Sequence, residues 1–337
     1  NGQRDRTAGA AATTMQKWIP ASIGGRVYLD NNDNGQQDKN EKGLPGVSIE
    51  LTSIDTITGD AIQKIALTTS DGSYLFDGIP PGHYRVREVQ PVGYFDGQDS
   101  VGRVGATSRG TLDANDSITD ILLNGGDVGI EYNFGELEPS SISGHVTLAL
   151  PGYPNFSTDP AGAKPLSGIV LTLLNGSGAP IATTKTDATG AYRFDGLPKG
   201  VYAVIETQPA DLIDGPSRAG TIDSTSVGKA IDGTRIEAIS LLGGQAALDY
   251  DFSERLPSSI SGSVYEDLDE DRIQNGKDSG IPSVRIELLD ATGQVIASTQ
   301  TDAQGRYRFN GLAPGKDGKS TRLNSSHSSV SRMPSSA

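Results

Sequence analysis

Ser22-Ile-Gly-Gly-Arg-Val-Tyr28, Ser141-Ile-Ser-Gly-His-Val-Thr147 and Ser259-Ile-Ser-Gly-Ser-Val-Tyr265 open three segments of the chain with nearly the same residues. Ile23, Ile142 and Ile260 stand 119 and then 118 residues apart, a period that suits a whole domain and is too long for a solenoid unit. Each opening is followed by a second shared block: Gly43-Leu-Pro-Gly-Val-Ser-Ile-Glu-Leu51, Pro165-Leu-Ser-Gly-Ile-Val-Leu-Thr-Leu173 and Gly280-Ile-Pro-Ser-Val-Arg-Ile-Glu-Leu288. Its alternation is that of a half-buried strand, with Val47, Ile49 and Leu51 toward a core and Ser48 and Glu50 toward water. A third block places Tyr74 with Phe76, Tyr192 with Phe194 and Tyr307 with Phe309 on one face of a strand.

The first two copies add Gly82-His-Tyr-Arg-Val-Arg-Glu88 and Gly200-Val-Tyr-Ala-Val-Ile-Glu206, then close on Tyr132-Asn-Phe134 and Tyr250-Asp-Phe252. With the arm near Ile62–Leu67 and the apolar run Ile118–Leu123, each copy holds about seven strands, as an immunoglobulin-like sandwich requires. The predicted fold is therefore all-β: tandem immunoglobulin-like, or prealbumin-like, β-sandwiches, with the third copy truncated after Pro314-Gly315. The expected organisation is an extension over 1–21, sandwiches over 22–138 and 139–256, a truncated sandwich over 257–315, and a Ser-rich tail over 316–337. The tail resembles translated adaptor sequence and is set aside. Short proline-bearing junctions at 137–142 and 256–260 predict restricted angles between neighbours and a semi-rigid rod.

Composition narrows the function. A formal charge of -14 disfavours nucleic acid and anionic membranes, and favours a cation as partner. The absence of cysteine removes disulfides, cysteine-bound zinc and thiol nucleophiles. No run approaches the roughly 18 apolar residues of a membrane span. The chain begins at Asn1 without a leader and reads as a fragment. His83 and His145 occupy different places in successive copies, and no nucleophile elbow or phosphate loop is present, so no catalysis is expected. Arg85 and Arg87 share a strand face that reads as solvated.

Asp30-Asn-Asn-Asp-Asn-Gly-Gln-Gln-Asp-Lys-Asn-Glu41 satisfies the calcium-loop pattern. Asp30, Asn32, Asn34 and Asp38 would offer side-chain oxygens, Gln36 its carbonyl and Glu41 a bidentate carboxylate, with Gly35 at the sharp turn. The bland reading is a polar Asn/Gly turn. Because the loop follows a strand, Ca2+ would act as a staple and not as a helix-loop-helix switch. The third copy has a weaker version in Asp267, Asp269, Asp271 and Asp278, with Arg272 where glycine is wanted. The second copy reads Thr147-Leu-Ala-Leu-Pro-Gly-Tyr153 there and has lost the loop.

Over roughly Ile23 to Gly315 the chain resembles the B-type (SdrD B-like) domains of serine-aspartate-repeat bacterial surface proteins, related to collagen-adhesin B-type and transthyretin-like sandwiches. The carrying motifs are Gly25 to Glu41, the Gly-x-Tyr-x-Phe blocks, the Glu-x-x-Pro ends and Asn133-Phe-Gly135. The resemblance implies an extracellular stalk or spacer of a secreted or cell-surface adhesin, stiffened by calcium. Such a stalk would hold a binding head toward a host or matrix protein or a surface polysaccharide, with neighbouring modules as its intramolecular partners. It also brings the Lys–Asn isopeptide bond of some collagen-adhesin domains into view, with Glu88 and Glu206 in the place of the promoting Glu and Asn133 as acceptor. Arg26, His145 and Ser263 stand where a lysine would be needed, so Glu88 is read as a satisfied strand-end carboxylate. The alternative function is a carbohydrate-binding or accessory module of an extracellular enzyme, which would present exposed aromatics.

Overall fold

The computed structural model describes residues 18–53, 61–113, 116–150, 156, 163–290 and 292–313, and these contain strands and turns without a helix. The expected extension over 1–21 therefore lies mostly, and the tail over 316–337 wholly, outside the described residues. The chain divides into two compact units, the first built mainly on residues up to Ser141 and the second mainly on those from Ile142.

In the first unit, β1 (Ala21–Leu29), β2 (Ser48–Ser53), β3 (Gln63–Leu67), β4 (Ser73–Ile79) and β5 (Gly82–Glu88) are long strands. Short ones follow: β6 (Phe95–Asp96), β7 (Arg103–Val104), β8 (Thr107–Ser108) and β9 (Thr111–Asp113). Then come β10 (Ser117–Leu123), β11 (Val128–Ile130) and β12 (Phe134–Leu137). One sheet runs β6-β12-β1-β11-β7-β8, with β4 also paired to β1, and the facing sheet runs β3-β2-β5-β10-β9. The alternation read from the sequence sets the packing. Val47, Ile49 and Leu51 are buried together with Tyr74, Phe76, Tyr84, Val86, Ile118, Ile121 and Phe134, and these side chains form the core between the two sheets.

The second unit repeats the plan. Its strands are β13 (Ser140–Ala149), β14 (Ala163–Pro165), β15 (Val170–Leu174), β16 (Pro180–Lys185), β17 (Ala191–Leu197), β18 (Gly200–Glu206) and β19 (Ile213–Arg218). They continue with β20 (Thr221–Ile222), β21 (Thr225–Ser226), β22 (Lys229–Ala230), β23 (Arg235–Leu241), β24 (Ala246–Leu248) and β25 (Asp251–Arg255). The sheets are β19-β25-β13-β24-β20-β21, joined by β14 and β17 through β13, and β16-β15-β18-β23-β22. Last come β26 (Ser258–Ser263), β27 (Tyr265–Glu266), β28 (Ser279–Gly280), β29 (Arg285–Leu289), β30 (Val295–Gln300) and β31 (Arg306–Leu312), in three two-stranded ladders. Here β29 pairs with β30 alone among the described residues, whereas β2 and β15 are paired on both edges. Val295 and Ile296 on β30 are about half exposed, and Ile65 and Leu67 on β3 and Ile181 on β16, the corresponding edge strands, are exposed likewise.

One contact explains the repeated glycine of the opening motif. A Cβ added at Gly25 would stand 1.8 Å from the Tyr132 carbonyl oxygen, and one at Gly144 would stand 1.9 Å from that of Tyr250. Only glycine lets the backbones approach this closely. The same two carbonyls accept hydrogen bonds of 2.6 Å from the hydroxyls of Tyr74 and Tyr192. Tyr74 and Tyr192 of the Gly-x-Tyr-x-Phe blocks thus tie their strands to the segment just before the closing strand.

Each complete sandwich also buries a pair of glutamates, Glu88 with Glu136 and Glu206 with Glu254, all at most 2% exposed. This corrects the reading of Glu88 as a satisfied strand-end carboxylate, because both its oxygens lack a hydrogen-bond partner, as do both of Glu206. The cause is strand parity: Tyr84, Val86 and Glu88 alternate inward along β5, so the carboxylate enters the core with the apolar side chains. In the second sandwich burial pushes Glu206 up to about 9, helped by the charge of Glu254. Burial also pushes Glu254 up to about 7, against the restraining hydrogen bond from Gln208.

Two outcomes follow from these contacts. Tyr192→Phe leaves the buried Tyr250 carbonyl without its hydroxyl donor and should destabilise the second sandwich by about 1–3 kcal/mol, read from urea unfolding. For the glutamates, the folded state binds more protons than the unfolded state between the ordinary value of 4.5 and about 9, so stability is greatest below that window and falls as pH rises through it. The double substitution Glu206→Gln with Glu254→Gln, followed by thermal unfolding across that window, should flatten this decline and stabilise the chain most at the alkaline end.

Candidate metal centre

The first strand ends at Leu29 and the chain turns at once into the polar loop. Leu29 N donates to Lys42 O at 2.9 Å, and a bridge joins Tyr28 to Gly43, so the two ends of the loop are tied together. Asp30 is fully buried, and its carboxylate accepts from Asn34 N at 3.0 Å and Gly35 N at 2.7 Å. Glu41 closes the ring from the other end, accepting from Asn31 N at 2.9 Å and Asp38 N at 2.8 Å. Within the ring, the amides of Asn32 and Asn34 donate to Asp38 Oδ2 at 2.8 and 3.1 Å, and Gln36 enters through its N–H, accepted by Asn34 Oδ1. Asp33 and Gly35 take positive φ values of 55° and 71°, which gives the loop its sharp turn.

The third-copy loop is wrapped in the same way. Asp267 accepts from Asp271 N at 3.1 Å and Arg272 N at 3.0 Å, while Asp278 accepts from Leu268 N and Asn275 N, both at 3.0 Å. These are the counterparts, position for position, of the bonds made by Asp30 and Glu41. Arg272 adopts φ 66° in the place of Gly35, and Glu270 adopts φ 57° in the place of Asp33. The missing glycine therefore costs local strain without changing the turn, and the shorter Asp278 still reaches the same two amides. Asp267, Asp269, Asp271 and Asp278 bring carboxylate oxygens within 4.8 Å of one another. Asn275 and Lys277 donate into this group, the lysine to Asp269 at 3.1 Å.

In the second copy β13 runs to Ala149, the counterpart of Asp30, and Thr147–Ala149 pair with β14, while the residues that would follow as the loop have lost its acidic spacing. The residues 151–155 of this stretch lie outside those described. For both loops the donor set is all oxygen, carboxylate and amide, which is the chemistry of a hard cation and unsuited to zinc or copper. Tyr28, buried beneath the first loop in the field of Asp30 and Glu41, has a hydroxyl without a partner.

A second acidic group was missed in the sequence. Glu88, Asp116 and Glu136 place carboxylate oxygens within 4.8 Å of one another in the interior of the first sandwich, and Asp96, Asp99 and Asp116 form an adjoining set. Asp116, just before β10, takes φ 55° and gives its carbonyl to Glu88 N at 2.8 Å. Glu136 accepts from Gln90 Nε2 at 2.6 Å. Burial is the first cause that pushes Glu88 up to about 10 and Glu136 up to about 8, with neighbouring carboxylates adding to it. Asp99 rises to about 7 and Asp116 to about 6, again chiefly through burial. The recurrence of Glu88, Gln90 and Glu136 at Glu206, Gln208 and Glu254, each 118 residues on and each inward by strand parity, was the available signal.

The histidines form no repeated site. His145 lies 3.6 Å from Asp251, which is also engaged by Arg218, whereas Arg26 and Asn133 hold the equivalent places in the first copy.

Comparison with known proteins agrees with this architecture. The family model for the SdrD B-like domain matches residues 21–136, 155–253 and 258–326. Serine-aspartate repeat-containing protein F of Staphylococcus epidermidis is 30% identical over 296 residues, covering 87% of this chain and 16% of that protein. Serine-aspartate repeat-containing protein D of Staphylococcus aureus strain Newman is 30% identical over 307 residues, covering 87% and 21%. The chain thus spans about a fifth or less of the length of these relatives. Among solved structures, the Bacillus anthracis TIE protein matches at TM-score 0.32 and 16% identity, over 87% of this chain and 43% of that one. The Streptococcus agalactiae minor pilin GBS52 matches at TM-score 0.27 and 14% identity, over 71% and 96%. The fold rests on the strands themselves. With three matched segments that together cover most of its length, the chain belongs to the SdrD B-like domain family.

Proposed function

We propose that the chain is a stalk or spacer segment of a bacterial cell-surface protein, built from modules spanning 22–138, 139–256 and 257–315, in which Ca2+ stiffens the first and third. The observation that carries this reading is the shared wrapping of the two twelve-residue loops, Asp30 and Glu41 in one and Asp267 and Asp278 in the other, around an oxygen-only donor set. Asp30, Asn32, Asn34, Gln36, Asp38 and Glu41 would hold the ion in the first loop, and Asp267, Asp269, Asp271 and Asp278 in the third. A bound cation would draw the same carboxylates together while they keep their N–H donors, and so hold the turn closed and stiffen the junction between β1 and the strands beside it. The chain acts as a scaffold and not as an enzyme in this reading, and adhesive ligands are met by other parts of the protein.

Nothing favours the carbohydrate-binding alternative. Among the described residues the aromatic side chains are buried or half-buried except Trp18, which precedes β1 and is 46% exposed.

Calcium should slow amide hydrogen exchange at Asn34, Gly35, Asp271 and Arg272 of the full chain and leave Thr147–Ala149 unchanged. At tenfold over its dissociation constant the ion should add about 1.4 kcal/mol to a binding module. Asp30→Ala with Glu41→Ala should abolish protection at the first loop alone, and Asp267→Ala with Asp278→Ala at the third alone. Exchange that is the same with calcium and with chelator at both loops would leave an unmetalled stalk.

A further inference from the structure

We propose that the first sandwich holds a second hard divalent cation, of the kind calcium exemplifies, in a buried cage formed by the carboxylates of Glu88, Asp116 and Glu136. The site is separate from the loops and does not depend on their occupancy.

The geometry comes first. Oxygens bound to one calcium ion at 2.3–2.6 Å lie within about 5 Å of each other. The three carboxylates meet that limit, with oxygens inside 4.8 Å. They come from three places in the chain that the fold joins: the end of β5, the turn before β10, and the middle of β12. Their relative exposures are 2%, 8% and 0%.

The second observation is independent of the clustering. Both oxygens of Glu88, Oε1 of Glu136 and Oδ1 of Asp116 are buried and accept no hydrogen bond. A buried carboxylate without a donor or a cation is among the costliest arrangements a core can contain. Gln90 supplies one donor, to Glu136 Oε2. Arg87, whose field reaches Asp116, is turned to Glu50 at 3.7 Å on the solvent side. One carboxylate oxygen from each of the three residues lies within 4.8 Å of the others, so a cation among them would supply the partner that these buried carboxylates lack. Asp96 and Asp99 join Asp116 in the adjoining set, which runs from the buried Asp116 to the exposed Asp96.

The second sandwich offers an internal control. Glu206, Gln208, Asp214 and Glu254 stand 118 residues beyond Glu88, Gln90, Asp96 and Glu136, but Ser217 and Thr234 replace Asp99 and Asp116. Five acids have become three, the third ligand of the cage is gone, and protonation suffices to neutralise the pair that remains. The cage is accordingly a property of the first sandwich alone.

The test counts calcium on the full, chelator-stripped chain by equilibrium dialysis at saturating free calcium. Glu88→Gln with Glu136→Gln should lower the count by one ion per chain. Asp30→Ala with Glu41→Ala should remove a different ion, so that the two losses add, while Glu206→Gln with Glu254→Gln should remove none. If the cage variant binds as much calcium as the unsubstituted chain, the proposal is overturned and the pair is held by protons, as in the second sandwich. Should the double substitution disturb folding, Asp116→Asn decides: it keeps a residue that tolerates the left-handed turn. It should weaken one calcium-binding step at least tenfold, whereas an unchanged titration would overturn the cage. Failure of the cage with the loop ion retained leaves the stalk reading intact, so the two are told apart.

Discussion

The pairing of β1 with β12 is the constraint from which the rest of the first sandwich follows. Val27, Tyr28 and Leu29 run parallel to Phe134, Gly135 and Glu136, while the earlier half of β1 pairs with β4 on one side and β11 on the other. A single strand therefore fixes the positions of three others. It also delivers Asp30 to the start of the loop at the point where Asp30 N bonds the carbonyl of Glu136. The loop and the buried acids are in this sense two faces of one strand pairing: the backbone of Glu136 anchors the first and its side chain enters the second.

Much of this was legible in the sequence because its periodicities are direct images of geometry. Val47, Ile49 and Leu51, or Tyr74 and Phe76, can alternate so cleanly only on strands with one buried face. The repeat period gave three copies, and the loop residues were found because calcium coordination imposes a fixed spacing on oxygen donors. The equivalence of the third loop was harder to see. Arg272 breaks the glycine rule, yet the turn survives because its shape is imposed by four backbone bonds to Asp267 and Asp278 and not by the residue at the bend.

The buried acids escaped notice for a different reason. Pattern reading assigns carboxylates to the surface, and Glu88 at the end of a strand suits that habit. Yet the rule that placed Tyr84 and Val86 inside places Glu88 inside as well, and Phe134 carries Glu136 with it. Asp116 could not be found this way, since it sits in a turn and reaches the cluster only through contacts between strands distant in sequence. The differences between copies are informative in the same terms. The second copy lacks the loop because its sequence after Leu148 carries none of the spaced oxygen donors, and the exchange of two aspartates for Ser217 and Thr234 lightens its acidic interior.

The parallel run of β1 beside β12 has a mechanical meaning. The first strand of the sandwich enters at one end and the last strand leaves at the other, side by side and pointing the same way. Tension applied through the chain on either side pulls these two neighbours in opposite directions along their common axis, so the hydrogen bonds between them are loaded in shear, together, and not peeled open one after another. The same arrangement recurs where Val146–Ala149 lie parallel to Phe252–Arg255. A protein exposed to drag would gain from this topology a resistance to pulling that its equilibrium stability alone does not describe.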